Sequence, residues 1–176
     1  YLNFENATWT FNKEKLKENN LSSIASNVCD KVFHLTPVIH NELVVRDKLS
    51  SMSMSGSVNL ITLMFNKSNL KNLGMEGHPP EFGIYLSIIK ANNLHVKNTD
   101  EYEFTMEKTK NKNLKNMYED FLSIIKKSKE AVSISDIYSH FEKQPYGVKL
   151  GILPILLAVF FKSSEASCAF YNKDEQ

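Results

Sequence analysis

One segment constrains the fold of this chain more than any other: PYGVKLGILPILLAVFF, at positions 145–161. Its last twelve residues include ten apolar ones, and Lys149 and Lys162 bound the run. A membrane-spanning helix needs about 20 apolar residues, so this run is too short to cross a bilayer. We therefore predict a helix that begins near Gly151 and is buried on nearly all sides. Pro154 fits its first turn, where a proline removes no intrahelical hydrogen bond.

The composition is that of a folded protein. The chain has 176 residues, of which 42% are hydrophobic and 23% charged, and this balance is typical of globular rather than disordered sequences. A net charge of +1 gives no whole-chain field that would draw the protein to nucleic acid. The two cysteines, Cys29 and Cys168, are far apart, and no signal peptide opens the sequence. These features predict a cytoplasmic location. We expect both ends to be internal boundaries of a longer protein.

Apolar spacing predicts a mainly helical N-terminal half. One helix is predicted over 13–32, and Pro37 separates it from the next. A second helix is predicted over 50–66, with a serine as its N-cap and a single apolar face. That face consists of Met54, Val58, Ile61 and Phe65. Pro80 fits the first position of a third helix, and the alternation of apolar and polar residues over 101–107 predicts a half-buried strand.

The lysine-rich segment 107–113 is the best candidate linker, and it divides the chain into residues 1–112 and 113–176. The second part begins with the most amphipathic helix of the sequence. A short strand, a helix capped by Ser135, a turn, the apolar helix and a strand over 166–172 follow. This is the element order of a winged helix that is truncated at its wing.

A weak internal similarity links the two parts. The segments HPPEFGIYLSIIKANNLH and KQPYGVKLGILPILLAVFF both join a proline-containing turn to an apolar helix, and an aromatic strand pattern follows each. Two winged-helix-like units in tandem would produce this pattern. The alternative is a chance likeness between helix–strand pairs in a chain rich in phenylalanine. The predicted fold class is mainly α (α+β), a helical module with winged-helix-like units.

The densest polar group lies in HNELVVRD and consists of Asn41, Glu42, Arg46 and Asp47. Glu42 and Arg46 are four residues apart, so a helix would pair them at its surface. The alternative is that the group faces a partner, with Arg46 central to the contact. The sequence contains no phosphate-binding loop, no closely spaced His/Cys set and no Gly-x-Ser-x-Gly motif. We predict no catalytic residue, metal or cofactor in this chain.

Lysines form a second candidate surface, for nucleic acid. Lys149 and Lys162 flank the apolar helix, which would be the groove-reading helix of a winged helix. Lys126 and Lys127 lie outside that helix and would contact phosphates. A helix that reads bases carries Arg, Asn or Gln on an exposed face, and this one is apolar between its lysines. The pattern therefore favours a solvated surface over a DNA interface.

Several segments carry a resemblance to a known family: NELVVRDKLSS, LGMEGHPPEFGIYLSII, NNLH, QPYGVKLGILPILL and CAFYNKDE. They are similar to a recurrent region of large bacterial ATP-binding proteins, encoded in phage-defence or restriction-type loci, that lies downstream of the P-loop ATPase domain. The matching positions are Asn41, Glu42, Arg46, Gly74, Gly77, Pro80, Glu81, Tyr85, Pro145, Tyr146, Gly147, Gly151 and Pro154. The resemblance covers roughly 33–173. The family's ATP site would lie outside this chain, so no ATPase residue is carried over.

Together these observations predict a non-catalytic helical or winged-helix module of a larger bacterial ATP-binding protein. We expect it to contact other domains of its own chain or a protein partner, and no membrane. The alternative function is a DNA-binding winged-helix module of a defence or regulatory protein, so nucleic acid stays open as a partner. An enzyme without a recognisable motif is the third hypothesis.

Overall fold

The protein has a mixed α+β fold in which helices dominate. The structure is a computed structural model and describes residues 8–16 and 20–169. The α-helices within these ranges are α1 (Leu21–Val32), α2 (Ser51–Asn66), α3 (Pro80–Ile84), α4 (Lys112–Lys127), α5 (Ile134–Glu142) and α6 (Leu153–Ser163). A π-helical segment, Tyr85–Lys90, continues α3, and a short 3-10 segment, Lys71–Gly74, precedes it. Pro80 is at the start of α3, as predicted.

Two small antiparallel hairpins complete the described fold. Strand β1 (Thr10–Phe11) pairs with β2 (Glu14–Lys15), and β3 (His95–Asn98) pairs with β4 (Glu101–Phe104). Strand β4 lies within the predicted strand over 101–107, and its Phe104 is buried as the alternation requires. The hairpins place short strand segments beside the helices and form no larger sheet among the described residues.

Helix α6 lies at the centre of the hydrophobic core. Every side chain from Ile155 to Phe161 is buried. The Phe160 ring centroid lies 5.5 Å from that of Tyr118 and 5.6 Å from that of Phe121, both on α4. Helix α2 and strand β4 also pack against α6. The prediction of an enclosed apolar helix with Pro154 in its first turn is therefore confirmed. No helix in the described ranges has the length and apolar character to cross a membrane.

Hydrophobic residues from both sides of the predicted boundary at 112 belong to one core. Leu60 and Ile88 precede the boundary, Leu114 and Phe141 follow it, and all four lie in the same buried cluster. Within the lysine-rich segment, Thr109 is buried as well. The division into 1–112 and 113–176 stays a prediction, and the core is continuous across it.

The first helix is shorter than predicted. The helix expected over 13–32 begins at Leu21, and residues 10–15 form the β1–β2 hairpin instead. Asn20 determines the helix start, since its side-chain oxygen accepts a hydrogen bond from the Ser23 amide at 2.8 Å. Asn12 adopts a positive φ of 49° in the hairpin turn, a conformation that asparagine tolerates better than most residues. Local turn chemistry therefore overrides the helical spacing.

The winged-helix order is present in the helices α4, α5 and α6 and not in the strands. No strand forms in the described residues between α4 and α5, where a short one was predicted. Ser133, rather than Ser135, caps α5, and its hydroxyl accepts from the Asp136 amide at 3.1 Å. The strand predicted over 166–172 is absent from 166–169, and 170–172 lie outside the described residues. The winged helix therefore stays a prediction.

The burial of α6 leads to a prediction about stability. Phe160 is fully buried against two aromatic rings of α4, so Phe160→Ala leaves a cavity that the packed helices cannot close. We expect a loss of roughly 3–5 kcal/mol in the free energy of unfolding, measured by urea denaturation. Ile134→Ala, at an exposed position of α5, is the matched control and should change it by less than about 1 kcal/mol. A near-parental midpoint for Phe160→Ala would contradict the central position of α6.

Candidate functional site

The four polar residues singled out in the sequence lie in an irregular loop and not in a helix. Asn41 shapes this loop, because its side-chain oxygen accepts hydrogen bonds from the amides of Leu43 (2.9 Å) and Val44 (3.1 Å). Its side-chain nitrogen donates to the Ser87 hydroxyl at 2.6 Å and so attaches the loop to the π-helical segment. Val44 is fully buried beneath the loop. Asn41 is therefore a structural residue of the loop.

The same loop is attached to the start of α6. The Gly151 amide donates to the Arg46 carbonyl oxygen at 2.9 Å. A Cβ atom at Gly151 would lie 2.5 Å from the carbonyl oxygen of Val44 and 2.6 Å from that of Arg46, so glycine permits this close approach. Lys149 donates to the Asp47 carboxylate at 2.8 Å. The loop thereby covers the N-terminal end of the most apolar helix.

The chain before this loop is held by hydrogen bonds as well. The Leu35 amide donates to the Pro145 carbonyl oxygen at 3.1 Å. The Asn113 side chain on α4 donates to the Thr36 carbonyl oxygen at 2.9 Å. Gly147, with a φ of +61°, would place a Cβ only 2.5 Å from the Phe33 ring. Residues 33–49, which we call the crossing segment, thus connect α4, α6 and the turn before α6.

Glu42 and Arg46 differ from the rest of the crossing segment. Both are exposed, and the described residues provide no hydrogen bond or ion pair to either side chain. The surface pair that a helix would have created does not form, because the segment is not helical. Of the four predicted residues, Asn41 and Asp47 have partners within the protein, whereas Glu42 and Arg46 present their side chains to solvent.

The four candidate lysines do not form one surface group. Lys126 and Lys127 are exposed in the last turn of α4. Lys149 is engaged by Asp47. The Lys162 side chain is only 8% exposed, forms an ion pair with Glu165 and lies 5.7 Å from the centre of the Phe65 ring. The nucleic-acid role assigned to these lysines stays a prediction.

Helix α2 presents a surface that the sequence pattern assigned to the core. The predicted apolar face is not the buried face: Met54 and Val58 are each 57% exposed. The buried positions of α2 are Ser53, Gly56, Ser57, Leu60 and Met64. Small residues bring this face close to α3, since a Cβ at Gly56 would lie 3.3 Å from the end of Ile84. Leu60 and Met64 are buried with these small residues, whereas Met54 and Val58 lie on the exposed side of the helix.

The outer side of α2 also lacks charge. None of the sixteen residues from Ser51 to Asn66 is charged, although many of them are exposed. Helix α4 has the same length and carries six charged residues. We call the exposed side chains of Met52, Met54, Val58 and the neighbouring Ser51, Ser55, Asn59 and Thr62 the α2 surface. The sequence feature that could have indicated this exposed surface is the run of sixteen residues without a charge. An analysis of apolar spacing alone does not detect it.

A buried histidine connects β3 with the end of α2 and the π-helical segment. His95 Nε2 lies 2.7 Å from the Ser68 carbonyl oxygen, which can only accept, so Nε2 carries the proton. Nδ1 then accepts from the Tyr85 hydroxyl at 3.0 Å. Burial lowers the pKa of His95 below 6.5, and the hydrogen bond to Ser68 opposes this only in part. Burial, with the nearby Tyr102, raises the pKa of Tyr85 to about 12.

A second polar cluster joins α4, α5 and the turn before α6. The Asp120 carboxylate accepts from His140 Nε2 at 2.7 Å and from the Tyr146 hydroxyl at 3.2 Å. Burial, with the charge of Asp120, raises the pKa of Tyr146 to about 12, so its hydroxyl stays protonated and donates. Phe141 lies edge-on to Tyr146, with centroids 5.0 Å apart. This arrangement ties three elements together.

A shallow groove of about 700 Å³ lies between the N-terminal hairpin and α1. Lys31 in its wall lies 4.0 Å from Glu14 and 6.0 Å from the centre of the Phe11 ring. The charged groups of this groove therefore already contact each other. The described residues contain no group of three or more His, Cys, Asp or Glu side chains that could hold a metal ion.

Comparisons with known proteins give no assignment: no protein-family model, curated protein or solved structure shows a significant match to this chain.

The contact at Gly151 can be tested with two glycine substitutions. Gly151→Ala would force its methyl group into two carbonyl oxygens of the crossing segment. We expect it to lower the free energy of unfolding by roughly 1–3 kcal/mol, measured by urea denaturation. Gly83→Ala, in α3 with open space around it, is the control and should raise stability by about 0.5–1 kcal/mol. Equal effects of the two substitutions would contradict the close attachment of the loop.

The buried, neutral His95 should make the free energy of unfolding of the protein sensitive to acid. The pKa of His95 is lowered in the folded state, so the unfolded chain binds the proton more readily. The stability from neutral His95 is therefore present above about pH 6.5 and is lost as the pH falls towards the lower folded pKa. We expect His95→Gln to make unfolding free energy depend less on pH between pH 7 and 5. The exposed His40→Gln is the control, and an unchanged pH profile for His95→Gln would refute the prediction.

Proposed function

We propose that this chain is a non-catalytic interaction module of a larger bacterial ATP-binding protein. In this proposal it contacts a neighbouring domain or a protein partner through the α2 surface. The observation that carries the proposal is the exposure of the apolar face of α2 along a helix without charge. The resemblance of the crossing segment and the α6 region to a region downstream of a bacterial ATPase domain supports the larger context.

The α2 surface shares two features with an interface core, the lack of charge and the presence of methionines. Such cores are depleted of charged residues and enriched in methionine and aromatic side chains. A solvent-facing helix normally carries charged residues on its outer side, as α4 does here. Helix α2 is about 24 Å long, and its outer side offers two methionines, a valine, serines and uncharged polar groups. Contact with a partner would remove this surface from water.

The crossing segment leads directly into α2 and adds charged groups beside this surface. Arg46 lies four residues before the N-cap, Ser50, and no described residue pairs with its side chain. Arginine is enriched among the residues that dominate binding energy at interfaces, because its planar group stacks and forms several hydrogen bonds. Hydrogen bonds of Asn41, Asp47 and Gly151 hold the backbone around Arg46 in place. The position of the Arg46 Cα atom is therefore restrained, although its side chain is exposed.

The alternative proposal is a DNA-binding winged-helix module. Helices α4, α5 and α6 follow the order of a winged helix, but α6 is enclosed by other elements and offers no free face to a DNA groove. Lys149 and Lys162, which would flank the groove, are engaged by Asp47 and Glu165. No observation of the described residues favours DNA over a protein partner.

The proposed function predicts that the α2 surface is covered in the natural full-length protein. Val58→Cys and Ile134→Cys place thiols at two positions of similar exposure here, 57% and 46%. We expect maleimide to label Val58→Cys about tenfold more slowly than Ile134→Cys, because an interface core excludes reagent and water. Peptide mass spectrometry separates these sites from Cys29 and Cys168. Labelling at the same rate at both positions would refute the proposed function.

A further inference from the structure

We draw no further inference here: the strongest candidate, the exposed apolar face of helix α2 at Met54 and Val58, carries nothing beyond the proposed function, because nothing in the structure shows what covers it.

Discussion

The structure depends on the removal of α6 from water. Its side chains from Ile155 to Phe161 are apolar on every side of the helix, and full burial of one such side chain contributes about 1.5–3 kcal/mol. A helix of this kind needs neighbours all round. Helix α4 supplies aromatic rings, α2 and β4 cover other sides, and the crossing segment closes the N-terminal end at Gly151. These neighbours together enclose α6.

The need to cover α6 also explains which face of α2 is buried. A helix that must fit between α3 and α6 has to approach both closely, and Gly56 and Ser57 provide that closeness. Leu60 and Met64 complete the buried face. Met54 and Val58 then lie on the opposite, exposed side of the helix. The exposed apolar surface is therefore a consequence of how the core is filled.

Sequence reasoning succeeded where one signal dominated. The charged and apolar sides of α4 are cleanly separated, and α6 has no polar alternative, so both helices could be predicted closely. It failed for the buried face of α2, because that face includes the small residues Gly56 and Ser57, and only the packing of α2 against α3 and α6 shows that they are buried. It also missed the His95–Tyr85 and Asp120–Tyr146 hydrogen bonds, since these join residues on different elements and leave no local pattern.

The residues behind the family resemblance now separate into two kinds. Asn41, Tyr85, Tyr146 and Gly151 each make a contact that the fold needs, through a loop hydrogen bond, a buried hydroxyl or a close approach of backbones. These matching residues therefore have structural roles in this fold. They would be expected in any chain that packs its segments around an apolar helix in the same way. Glu42 and Arg46 belong to the same pattern, yet no described contact of the fold uses their side chains. An interaction function of the matching segments would therefore be located at Glu42 and Arg46 and along the uncharged helix α2 that follows them.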